Sequence, residues 1–232
     1  MVELTYFKGR GRAETTRWML AINQIQFTNV QVTTPQELAS LRLTGKLPFD
    51  QMPLLEINGL CLSQSAAMIR YLARLGEFYG DNDQDVVMCD MFAGAVADFA
   101  ETGLQAAFQP TAEVAIANLN DKFQKFGPKF EAHLAANGNG VCAGSRLSLA
   151  DVVLAEALSG YLEWCPAILE TTPHIKALNE RVVDQPGIAK YLKSTQRYPK
   201  PATEYVVDVA RVLQRALPGH MADANQFILT TS

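Results

Sequence analysis

The sequence predicts two successive units of different class: a small α/β unit ordered βαβ-α-ββα over residues 1–80, then an all-helical unit over residues 85–220. Two observations carry that prediction. As far as residue 75, apolar residues alternate with polar ones or fall in short runs bounded by turn residues, the period-two pattern of half-buried strands. From Asp83 onward the recurrence changes to every third or fourth residue, the period of an amphipathic helix. A length of 232 residues accommodates both units, and 48% hydrophobic against 19% charged residues supplies a core for each.

Residues 2–7 alternate as a strand, and residues 15–22 place Trp18, Met19 and Ile22 at helical spacing. Residues 27–32 form a second apolar run, which completes a βαβ unit within about thirty residues. Pro35-Gln36-Glu37 starts a helix in the polar connection that follows. Two short apolar runs flank Asn58-Gly59, the strongest short hairpin signal. Pro53 stands just before the first of them, where a cis bond would present the preceding backbone edge. Ser65 is placed to cap a helix over residues 66–75.

In the second unit, Val87, Met91, Ala95 and Phe99 recur every four residues. Ala115, Leu119, Phe123 and Phe126 mark another long helix. Gly127-Pro128 bends this helix rather than ending it, since Phe130 and Leu134 continue the stripe. Asn137-Gly138-Asn139-Gly140 is a break. Ser148 and Asp151 have capping-box spacing, with Leu147 and Val152 as a staple. They precede a helix over 149–161 that is apolar on nearly every face and belongs at the centre. Pro173 and Pro186 open two more helices. A Pro-rich strap leads to a last helix at about 203–216 with a stripe of Val206, Val209, Ala210 and Leu213. That helix either closes as a lid over an apolar site or simply packs on its own unit. The residues after Pro218-Gly219 read as a loose end.

A net charge of -4 argues against nucleic acid as a partner, because phosphate binding wants a basic face. No apolar run reaches membrane-spanning length and no signal peptide opens the chain, so a cytoplasmic protein without a membrane partner is expected. Cys61, Cys89, Cys142 and Cys165 lie far apart, without C-x-x-C or zinc spacing. They read as small buried hydrophobes, and no metal centre is expected.

The stretch that carries chemistry is Tyr6-Phe7-Lys8-Gly9-Arg10-Gly11-Arg12-Ala13-Glu14. It delivers a tyrosine hydroxyl from a strand end to a helix N-terminus, where free N–H groups and the macrodipole favour an anion such as a thiolate. The two glycines allow a tight turn and close approach of a ligand. A core tyrosine beside a plain turn would read the same way. A dinucleotide fingerprint is disfavoured, since Glu14 stands where its third glycine belongs.

Taken in order, YFKGRGRAETTRWML, LRLTGKLPFDQMP, the Gln64-Ser65 helix start, LSLADVVL and the terminal helix resemble the cytosolic glutathione S-transferases over almost the whole chain, the alpha class most of all. The resemblance implies a thioredoxin-like first domain, a helical second domain, a homodimer, and glutathione as co-substrate with no other cofactor. Tyr6 matches the catalytic tyrosine and Arg12 the arginine beside the same sulfur. A free thiol of pKa ~8.5 is only about 3% ionised at neutral pH. Lowering it by ~2 units, about 2.7 kcal/mol, makes thiolate the major form. The thiolate would attack a small hydrophobic electrophile to give a thioether.

The same resemblance assigns the glutathione contacts to Arg42, Lys46, Gln51, Met52 before Pro53, Gln64 and Ser65, with Asp98 reaching the partner subunit's glutathione. Lys125 aligns where the alpha class has an arginine. The electrophile wall falls to Phe7, Gly11, Leu104, Gln105 and Phe108, faced by Ala202, Ala210 and Leu213. Gln105 replaces a residue usually apolar. Phe49 matches an aromatic key that enters the partner beside Met91. Peroxidase and isomerase side activities would start from the same thiolate. The rival readings are a non-catalytic carrier of hydrophobic compounds or crystallin-like protein on this scaffold, and a thiol-disulfide oxidoreductase. The last lacks a cysteine at the first strand–helix turn.

Overall fold

The computed structural model describes residues 1–224. β1 (Glu3–Phe7), α1 (Glu14–Ile22) and β2 (Thr28–Val32) form the expected βαβ unit, with β1 and β2 paired in parallel. After α2 (Pro35–Leu43), β3 (Leu54–Ile57) and β4 (Leu60–Ser63) make the hairpin across Asn58-Gly59. β3 runs antiparallel to β1, which gives the sheet order β2-β1-β3-β4. α3 (Ser65–Leu75) closes the first part of the chain. Thr34 caps α2 as part of a capping box with Glu37, and Pro35 fills the first helical position, where its missing N–H costs nothing.

The helical part comprises α4 (Asp83–Leu104), α5 (Ala112–Asn137), α6 (Leu149–Leu162), α7 (Pro173–Val183), α8 (Pro186–Leu192) and α9 (Thr203–Val212). α5 is continuous through Pro128, and Gly138 ends it in a left-handed conformation (φ +70°). α6 is buried along most of its length and packs against α1, α4 and α7, which makes it the centre of the molecule. Its Asp151 accepts hydrogen bonds from the Ser148 N–H and Oγ and from the Cys142 N–H, each at 2.7 Å. Cys89, Cys142 and Cys165 are buried and Cys61 is exposed.

Four expectations shift. Ser65 is the first residue of α3, and Gln64 holds the cap position without a side-chain cap bond. On α4 the buried face is Cys89, Ala93, Val96 and Phe99, so Val87 and Met91 are exposed. The four-residue stripe read from sequence therefore starts on the outer face and ends in the core at Phe99. α9 stops at Val212 rather than near 216. Gln214 turns left-handed (φ +51°), the Arg215 N–H reaches the Ala210 carbonyl at 2.9 Å, and the Gln214 N–H reaches the Arg211 carbonyl at 3.1 Å, which together make a Schellman closure. Beyond it, residues 219–224 make a short 3-10 segment instead of a loose end, and the rest of the expected loose end lies outside the described residues.

Candidate active site

β1 ends with Tyr6 and Phe7, both largely buried, their rings edge-on at 5.0 Å. The chain then turns through Gly9 and Gly11 into a 3-10 segment, Gly11–Ala13, that leads into α1. This turn brings the Arg12 backbone N–H back to donate to the Tyr6 hydroxyl oxygen at 3.1 Å. The Tyr6 proton is left free for another acceptor. Gly11 sits at φ +44°, and a Cβ there would lie 2.6 Å from the Tyr6 oxygen. Only glycine fits. The Arg12 side chain pairs with Glu101 of α4 at 2.8 Å. The pair is about half exposed, so it steers the guanidinium more than it stabilises the fold.

Three further segments converge on the same place. A cis bond joins Met52 to Pro53, and Met52 precedes β3, beyond the last registered pair between β1 and β3. Gln64 adopts φ +68°, an unusual conformation for a residue with a side chain, and its amide donates to the Gln51 Oε1 at 3.0 Å. Arg42, in the last turn of α2, donates from Nε and an Nη to the Asp50 carbonyl at 3.3 and 3.2 Å.

A cavity of about 580 Å³ opens beside Arg42 and Met52; Gln64 does not line it and reaches it only through Gln51. Arg42, Gln51 and Met52 line its polar side together with Tyr6 and Arg12. Phe7, Gly11, Leu104, Gln105, Phe108 and Leu213 complete the lining, beside Phe49, Tyr205, Val209 and Arg215. A second cavity of about 300 Å³ lies between the α/β part and the helices, and Ser65 opens onto this one. Gly11, Arg12, Leu104 and Tyr205 border both. In the second cavity, Glu156 of α6 accepts from the Thr15 hydroxyl at 2.9 Å. Burial, with Glu14 as a second cause, pushes its carboxyl up to about 7.

Several expected residues stand elsewhere. Lys46 is held at 2.6 Å by Glu56, which raises its ammonium pKa, and it does not line the cavity. Ala202 is exposed outside it, and Ala210 packs inward with Val206 and Leu217. The reason is helical phase. The stripe read from sequence merges two faces of α9: Tyr205, Val209 and Leu213 face the cavity, while Val206 and Ala210 face the protein. The four-residue spacing of Tyr205, Val209 and Leu213 was the signal that could have found Tyr205. Asp98 and Lys125 are exposed, and Lys125 rests near the Phe126 ring. Phe49 is 62% and Met91 63% exposed, more than unpartnered residues of this size usually are. Among the described residues no cluster of His, Cys, Asp and Glu could hold a metal ion, and no helix is long and apolar enough to cross a membrane.

Two family profiles match the chain: "Glutathione S-transferase, N-terminal domain" over residues 2–74 and "Glutathione S-transferase, C-terminal domain" over residues 97–195. Glutathione S-transferase alpha-3 of Rattus norvegicus is 38% identical over 200 residues, covering 84% of this chain and 90% of its own. Glutathione S-transferase A1 of Bos taurus is 33% identical over 211 residues, covering 90% and 95%. Among solved structures, the monomeric glutathione S-transferase Na-GST-3 of the hookworm Necator americanus superposes with a TM-score of 0.75 at 27% identity. It covers 86% of this chain and 99% of the hookworm protein.

Proposed function

The chain belongs to the glutathione S-transferase family, and from that premise we propose that it conjugates glutathione to small hydrophobic electrophiles, with Tyr6 as the residue that keeps the sulfur ionised. The observation that carries the reading is the Tyr6 oxygen, which accepts the Arg12 N–H and lines a cavity of mixed polar and apolar residues, so that its own proton is available to a ligand there. A thiolate in the cavity accepts that proton as a hydrogen bond, and the Arg12 guanidinium adds positive charge nearby.

The polar side takes the tripeptide. The free backbone edge at Met52 pairs with its cysteinyl backbone as an added strand would. Gln51 and Gln64 hydrogen-bond the γ-glutamyl end, and the uncapped N-terminus of α3 at Ser65 supports its carboxylate. Arg42 faces the glycyl carboxylate. The apolar side, closed by α9, receives the electrophile.

The domain boundaries at 1–80 and 85–220 follow the gap between α3 and α4. A homodimer places Phe49 of one protomer against the exposed Met91 and Val87 face of its partner, and Asp98 near the partner's site. The hookworm relative is described as monomeric, so light scattering of the wild type beside Phe49→Ala decides this part. A cytoplasmic location agrees with the reading. The presence of Tyr6, Arg12, Gln64 and Ser65 together favours the enzyme over the carrier or crystallin-like alternative.

Tyr6→Phe is the direct test. Conjugation of an aryl halide falls about tenfold or more while glutathione affinity stays within about twofold. An unchanged rate assigns thiol activation to another group.

A further inference from the structure

We propose that Tyr205 is a positioning residue for conjugation: its phenol donates a hydrogen bond to the Tyr6 oxygen and thereby strengthens the bond that the Tyr6 proton makes with the glutathione sulfur. The inference rests on the reading of Tyr6 as the sulfur's donor and goes beyond it by assigning α9 a part in the chemistry.

Three observations converge. Tyr205 arrives from the far end of the chain and borders both cavities at the point where they meet. The turn after β1 is shaped to receive it: a Cβ on Gly9 would overlap the Tyr205 ring, and one on Gly11 would lie 2.5 Å from its hydroxyl oxygen. That second point is also 2.6 Å from the Tyr6 oxygen, so the two phenols converge beside a single α-carbon. The Phe108 ring, edge-on at 6.5 Å, fixes the orientation of Tyr205.

The donor inventory makes the arrangement productive. The Tyr6 oxygen has two lone pairs and one proton. Arg12 N–H occupies one lone pair; the other lies on the side where the Tyr205 hydroxyl converges, and a bond donated there by Tyr205 leaves the Tyr6 proton for the sulfur. Burial, with the Tyr6 hydroxyl beside it, pushes the Tyr205 phenol well above the ordinary phenol range. It therefore stays protonated, and a donor, throughout the working pH. Hydrogen bonds in a chain polarise one another, so the last link, Tyr6 to sulfur, is the one strengthened. Every proton stays on its own oxygen.

The test is a four-member cycle of wild type, Tyr6→Phe, Tyr205→Phe and the double variant. It is read by ultraviolet difference titration of the glutathione thiolate in the complex and by the pH profile of kcat/KM. Phe keeps the ring seated on Gly9, and circular dichroism melting checks that the fold is kept. Tyr205→Phe is expected to move the thiol ionisation and the acid limb of the profile upward by about half a pH unit, which is about threefold in rate on that limb. The glutathione KM stays within about twofold. The double variant matches Tyr6→Phe, because the Tyr205 hydroxyl then has nothing to act through. A Tyr205→Phe variant whose thiol titrates like wild type reduces the side chain to packing and overturns the proposal. Additive effects in the double variant overturn it too, by showing that Tyr205 reaches the sulfur directly. If Tyr6→Phe itself leaves the titration unmoved, the Tyr6 reading has failed and the relay falls with it.

Discussion

The two walls of the larger cavity are built by different means. The wall from the first part of the chain is set by backbone constraints: a strand end in register, a glycine at φ +44°, a proline after Met52 and Gln64 at φ +68°. The opposite wall is helical: Leu104 at the end of α4, Phe108 just beyond it, and α9, which is seated by an apolar face and closed by a left-handed residue. A constraint of the first kind names the residue type that must stand there. A helical face fixes only a periodicity, and rotation by one residue exchanges what looks into the cavity for what looks away. The first wall should therefore be intolerant of small changes and the second forgiving.

Gly11→Ala gives that contrast its hardest trial. A single methyl at this φ would press on both phenol oxygens. Displacement of the hydroxyl by about an ångström costs on the order of a hundredfold in kcat/KM, measured by aryl-halide conjugation. A loss below threefold would mean that the turn yields and the contrast is overstated. Deleting the chain after Pro201 removes the α9 part of the opposite wall, yet costs less: about tenfold in kcat/KM for an apolar electrophile, with the glutathione KM within about twofold. A loss equal to that of Gly11→Ala would make the two walls equivalent.

The smallest effect concerns the seam between the α/β part and the helices, and it appears in stability. Burial raises the Glu156 carboxyl from 4.5 to about 7, so between those values the folded protein holds a proton that the unfolded chain has released. The stabilising contribution is complete below about pH 4.5 and is lost as the pH rises through about 7. Between pH 5 and 8 the wild-type Tm should therefore fall relative to that of Glu156→Gln, by about 5 °C. Parallel curves would show that the carboxyl titrates normally.

The same contrast governs what the sequence made legible. Tyr6, the glycine turn, the Asn58-Gly59 hairpin and the Ser148–Asp151 helix start are local signals, and the structure forms each: the turn brings the Arg12 N–H to the Tyr6 oxygen, β3 pairs with β4, and Asp151 accepts from the Ser148 N–H. The errors fall where periodicity was the guide. On α4 the four-residue recurrence correctly marks a helix but not its buried face, since Val87 and Met91 are exposed while Phe99 is buried, and on α9 two adjacent faces were read as one. Lys46 failed for another reason. Its ion-pair partner, Glu56, comes from the next strand, and a linear reading does not show that the two will meet. Tyr205 lies too far along the chain from Tyr6 for any local pattern to join them.

α1 lies between the sheet and the helices with nearly every side chain buried. Its ion pair, Glu14 with Arg17 at 3.0 Å, is sealed by the Tyr191 hydroxyl from α8 and by the Tyr198 ring. Cut from the helices, residues 1–80 would expose Trp18 and leave those two charges without their cover. The α/β part therefore has no autonomy as a separately expressed fragment. In the intact chain, heating should melt both parts in one cooperative step.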